Sequence, residues 1–96
     1  MEIETMIELT TKEREALRAL VNECLENMGG QTIEDLEEDP FTWVTVQDLT
    51  GRTTFTTAQA RGLFASLQVK GLLQDSGPDA DDWFITETGL EAAKNL

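Results

Sequence analysis

The chain has 96 residues, 40% of them hydrophobic, enough for one domain with a single core. One cysteine excludes an internal disulfide, the absence of histidine excludes the usual Cys/His zinc site, and neither metal nor cofactor is expected. Nineteen acids against seven bases give a net charge of −12, which opposes non-specific binding to nucleic acid.

No stretch reaches the roughly 18 apolar residues of a membrane span, and Met1-Glu2-Ile3-Glu4 lacks the basic start of a signal peptide. A cytoplasmic setting is expected. Residues 1–9 mix acids with Ile3, Ile7 and Leu9, a pattern compatible with either an extended or a helical arm. Such an arm covers its own domain or crosses to a second subunit.

Thr10-Thr11-Lys12-Glu13 reads as a capping box, in which the threonine hydroxyl and the glutamate carboxylate each satisfy a free backbone amide. The helix that follows, to about Met28, puts Leu17, Leu20, Val21, Cys24, Leu25 and Met28 on one stripe. Cys24 lies within that stripe, so a buried, inert thiol is expected rather than a nucleophile. Gly29-Gly30 ends the helix.

From Gln31 to Pro40 five acids surround Ile33 and Leu36. The run reads as a solvated connection with one helical turn anchored by those two residues, or as an acidic surface offered to a basic partner. Phe41-Thr42-Trp43-Val44 alternates bulky and polar residues as a short strand does, and is expected to join a small sheet.

Two helical patterns then meet across a break. Val46 and Leu49 make one apolar turn near 45–50, Gly51-Arg52-Thr53-Thr54 interrupts, and Ala60, Leu63, Phe64 and Leu67 form the apolar face of a helix near 57–70. Thr56 and Gln59 fit a second capping box, and Gly71 after Lys70 fits a left-handed helix end. Leu72-Leu73-Gln74 and Trp83-Phe84-Ile85-Thr86 read as strands of a hairpin around the 75–82 loop with its Ser76-Gly77-Pro78 turn. A short last helix follows, capped by Thr86, with Leu90 and Ala93 facing inward.

The helix–turn–helix pattern of 45–73, with its Ser66-Leu67-Gln68-Val69-Lys70-Gly71-Leu72-Leu73 run, resembles the winged-helix family. Ile85-Thr86-Glu87-Thr88-Gly89-Leu90 is similar to the end of the wing and the start of the last helix in MarR-type regulators. The resemblance spans roughly residues 10 to 96 and implies an α+β fold, a winged helix-turn-helix with a three-helix core and a small antiparallel β-hairpin wing. With the length of the chain and its 1–9 arm, this reads as a single winged-helix domain over 1–96.

That resemblance makes a small DNA-binding transcription regulator the first functional expectation, a homodimer reading duplex DNA through the 57–70 helix; with no histidine base or phosphate loop, no enzyme activity is expected. From Leu49 to Gln74 there is no acid, and Arg52, Arg61 and Lys70 give this segment +3, leaving −15 on the other 70 residues. Thr57, Gln59 and Arg61 are the candidates for base edges, Arg52, Thr53 and Thr54 in the turn for phosphates, and Lys70 for the far end of the helix.

Where winged-helix DNA binders place Arg or Lys in the wing, this loop holds Asp75, Asp79, Asp81 and Asp82. The second expectation is therefore an acidic protein-binding winged helix, a DNA mimic of the kind used by phage-type inhibitors of host defence nucleases in anti-CRISPR or anti-restriction roles. Its partner would be a basic nucleic-acid-binding protein, met by Glu34, Asp35, Glu37, Glu38 and Asp39 with the wing aspartates. A scaffold within a larger assembly is a third reading. Adaptation to a salty cytoplasm also accounts for abundant acid, only three lysines and thirteen threonines.

Overall fold

A computed structural model describes residues 8–30, 32–38, 42–77 and 82–96, with Glu38 described by its backbone alone. The arm expected over residues 1–9 lies outside them except for its last two residues. Among the described residues five helices and three short strands follow in the order α1 Thr11–Met28, α2 Ile33–Glu38, β1 Trp43–Thr45, α3 Val46–Arg52, α4 Thr57–Val69, β2 Leu73–Asp75, β3 Asp82–Ile85 and α5 Glu87–Ala93. The result is a compact α+β domain. No described helix is long and apolar enough to cross a membrane.

Threonines start most of these helices. The Thr10 hydroxyl accepts from the Glu13 amide at 3.1 Å, while the Glu13 carboxylate accepts from the Thr10 amide at 2.8 Å. Thr56 and Gln59 close α4 in the same reciprocal way, and the Thr86 hydroxyl accepts from the Gly89 amide to start α5. A further box, Thr45 with Asp48, starts α3 directly from the last residue of β1. Gly29 and Gly71 sit at φ of 74° and 82°, the left-handed conformation that ends a helix at little cost only for glycine.

Two helices differ from the sequence reading, and the strands shift by a residue or two, which places Asp75 and Asp82 in β2 and β3 instead of in the loop between them. The acidic run contains a complete short helix, α2, because Leu36 is fully buried and Ile33 packs against the core. α3 also runs through Gly51 to Arg52 instead of stopping at residue 50, since Arg52 is drawn to carboxylates on α1. Tertiary attraction overrides the weak helix-breaking tendency of one glycine.

α1 is the spine, packing against α2, α3, α4, α5 and β1. Leu17, Leu20, Val21 and Cys24 meet Leu49, Phe64 and Leu67 in one core. The strands form an antiparallel sheet in the order β1-β3-β2, with Trp43 opposite Phe84 and Gln74 opposite Phe84 on the other side. Val44, Leu73 and Ile85 turn inward with Trp83, whose ring meets Phe64 edge-on at 4.7 Å and whose indole N–H donates to Gln68 at 3.0 Å. This fastens the sheet to α4.

One ionised group is enclosed in the packing. Glu13 is 4% exposed, and besides its cap it accepts from the Ser66 hydroxyl and from Lys70 Nζ at 2.6 Å. Lys70 Nζ also donates to the Glu8 carbonyl at 2.7 Å. Burial by itself would raise the Glu13 pKa, but the hydrogen bonds from Lys70, Ser66 and the Thr10 amide, with the Lys70 charge, outweigh it and hold the carboxyl at about 2 against an ordinary 4.5.

A depressed pKa contributes stability above the unfolded value that is lost as pH falls through the folded one. The Glu13 contribution is therefore complete above pH 4.5 and disappears toward about 2. Urea unfolding of Glu13→Gln is expected to show a loss of roughly 1 to 3 kcal/mol at neutral pH, with a weaker fall in stability across that acid window than the parent has.

Glycines provide a second test. A Cβ on Gly89 would fall on the Leu72 carbonyl oxygen and lie 2.7 Å from Ile85 Cγ2, whereas one on Gly62 meets nothing within 4 Å. Gly89→Ala should lower stability by about 1 to 3 kcal/mol through overpacking. Gly62→Ala, in an exposed helix interior, should raise it by up to about 1 kcal/mol. Thermal or urea unfolding of the two variants checks both signs.

Candidate interaction surfaces

α3 and α4 are joined by residues 53–56 and pack on α1. The first turns of α4 expose Thr57, Ala58, Gln59 and Arg61, with Thr57 and Arg61 one turn apart on the same face and Gln59 turned away from them. Gln59 is partly engaged, because its carbonyl oxygen accepts from the Thr56 amide at 2.9 Å and only its NH₂ group remains to donate outward. Arg61 makes no ion pair among the described residues.

The other cations of this segment point elsewhere. Arg52 Nε donates to Glu23 Oε1 at 2.6 Å, and its NH₂ group donates to Glu26. Hydrogen bonding to Glu23, with Glu26 beside it, raises the guanidinium pKa further, so the fork stays ionised. Lys70 is held by Glu13 as described. Thr53 donates its hydroxyl to the Leu49 carbonyl at 2.8 Å and accepts from the Phe55 amide, which closes the end of α3, while Thr54 is exposed. Of the seven residues singled out for DNA, Thr54, Thr57, Gln59 and Arg61 thus share solvent at the start of α4. Arg52, Thr53 and Lys70 serve the fold.

The acidic residues fall into two groups. On α2, Glu34 and Glu37 converge with Glu91 of α5 around Lys94 Nζ, at 3.9, 2.9 and 3.5 Å. Asp35 accepts from the Thr32 amide at 3.1 Å at the start of that helix. On the hairpin, Asp75 is exposed, and Asp82 accepts from the Ser76 hydroxyl at 2.5 Å. Asp39, Asp79 and Asp81 lie outside the described residues, as does the side chain of Glu38. Among the described residues no cluster of His, Cys, Asp or Glu is arranged to hold a metal ion.

Cys24 is fully buried, and its Sγ lies 3.9 Å from the Trp43 carbonyl oxygen. Burial first, then the nearby Asp48 and Glu23 charges, push the thiol up to about 12, so it carries no reactive thiolate near neutral pH.

A surface feature that the sequence reading did not single out is the outer face of the sheet. The 41–44 alternation puts Thr42 and Val44 inward, both buried, and turns Trp43 outward, 50% exposed. Trp43 and Phe84, register partners, meet edge-on with centroids 5.2 Å apart. The signal for them was the alternation itself, which fixes the two faces without saying which is buried. Searches among protein-family models, curated proteins and solved structures found no match to this chain.

Proposed function

We propose that the chain is an acidic winged-helix module that binds a basic protein partner, with carboxylates standing where the partner otherwise receives nucleic-acid phosphates. The winged-helix assignment is supported by the β1-β3-β2 sheet, with α3 and α4 inserted between β1 and β2 and a hairpin following α4. The absence of histidine and the buried thiol favour binding over catalysis.

The observation that carries the choice of partner is the internal pairing of Arg52 with Glu23 and Glu26 and of Lys70 with Glu13. Those contacts remove two of the three cations between Leu49 and Gln74 from any external anion. Arg61 alone remains for phosphate there, a small footprint set against a charge of −15 on the rest of the chain. Each neutralised phosphate contributes a salt slope of about −0.9 on duplex DNA, so one contact provides little anchoring at physiological ionic strength.

A regulator reading DNA is the second reading, and one observation favours it. The exposed surface of α4 carries no acid and presents Thr57 and Arg61 one helical turn apart, with Gln59 also exposed.

Fluorescence anisotropy with a labelled duplex separates the two. On the proposed function, log affinity for duplex falls with log salt at a slope no steeper than about −1, and the unlabelled chain displaces duplex from a basic DNA-binding protein. A slope near −3, with a sequence preference that Arg61→Ala relaxes at a cost of about 1 to 3 kcal/mol, would establish the DNA reading instead.

A further inference from the structure

Trp43 stands half-exposed on the outer face of the sheet with Phe84 braced against its edge, and Gln74 continues the same row on β2. Two residues along β3 from Phe84, roughly 7 Å by strand rise, Asp82 projects on that face opposite Thr45. Asp82 joins none of the ion pairs among the described residues. The Thr45 hydroxyl is occupied by the α3 cap, so the acceptor beside the rings is the Asp82 carboxylate, one oxygen of which accepts from the Ser76 hydroxyl. An aromatic pair and a carboxylate that joins no ion pair among the described residues therefore share one face of the sheet.

We infer that this surface is a docking platform for an arginine side chain presented by a protein partner, its guanidinium lying over the Trp43 indole and its N–H edge turned to Asp82. The inference rests on the protein-binding reading above. The charge of the chain selects a cation and repels nucleic acid, the other natural occupant of exposed rings. Arginine fits better than lysine because its planar, weakly hydrated group stacks on an aromatic face while its N–H fork remains free for a carboxylate.

The platform is also preorganised. β1 passes straight into the capped start of α3, α1 packs against it, and β3 holds it on the other edge. Little side-chain or backbone ordering is left to oppose binding.

The test titrates the intact chain at about 50 mM salt, where surface charge is weakly screened, with a hexa-arginine peptide, a hexa-lysine peptide and single-stranded oligothymidine. The readout is the NMR signal of the two indole N–H groups. Hexa-arginine should shift Trp43 and leave Trp83, bonded to Gln68, in place. Trp43→Thr, which retains a strand-forming residue, should weaken hexa-arginine binding about two- to fivefold. Trp43→Phe, which keeps a ring, should lose less, and Asp82→Asn should narrow the preference for arginine over lysine.

Equal binding of the two peptides, unaffected by Trp43→Thr, would overturn the platform and leave the acidic protein-binding reading standing. Failure of both peptides to bind would remove the platform together with that reading. Oligothymidine shifting Trp43 at lower concentration than hexa-arginine does would overturn the platform in favour of a nucleic-acid surface.

Discussion

The Glu13 carboxylate organises more of this chain than any single apolar contact. It begins α1 by accepting the Thr10 amide, and it joins α1 to the end of α4 through Ser66 and Lys70. A buried carboxylate without such partners would cost several kcal/mol or take up a proton. Here the helix cap, the hydroxyl and the ammonium satisfy it together. Arg52 performs a similar task nearer the C-terminal end of α1, so α3 and α4 are each tied by charge to the same helix. These ties set which cations the surface retains.

That arrangement explains why the boundaries of most helices were legible in the sequence while the state of the candidate site was not. Caps are local chemistry. Thr10 with Glu13, Thr56 with Gln59, Thr86, Gly29 and Gly71 act within a few residues, and a pattern of spacing reveals them. The partners of Arg52 and Lys70 lie 29 and 57 residues away in the chain. No local pattern announces them, and a cation read one residue at a time looks available when it is not.

Two further differences have the same origin. Leu36 sits in a run whose composition reads as solvated, and its burial depends on α1 and α5 packing around α2. The 41–44 alternation identified a strand but not its inward side, and Thr42 rather than Trp43 went inside. Period-two patterning leaves that choice to the neighbouring layers. The aromatic face became visible only when those layers were in place.

The position of β3 between β1 and β2 bears on how the chain reaches this fold. Trp43 finds its register partner at Phe84, and among the described residues no strand between them in the chain pairs with β1. The helices α1, α3 and α4 are all present once the chain reaches Val69, whereas the first strand waits for residues near the end of the chain. Loop-closure entropy is met before such a pairing rewards it. During synthesis α1 through α4 are thus complete in sequence while β1 still lacks its partner strand, and the two outward aromatic rings are brought together only when β3 arrives.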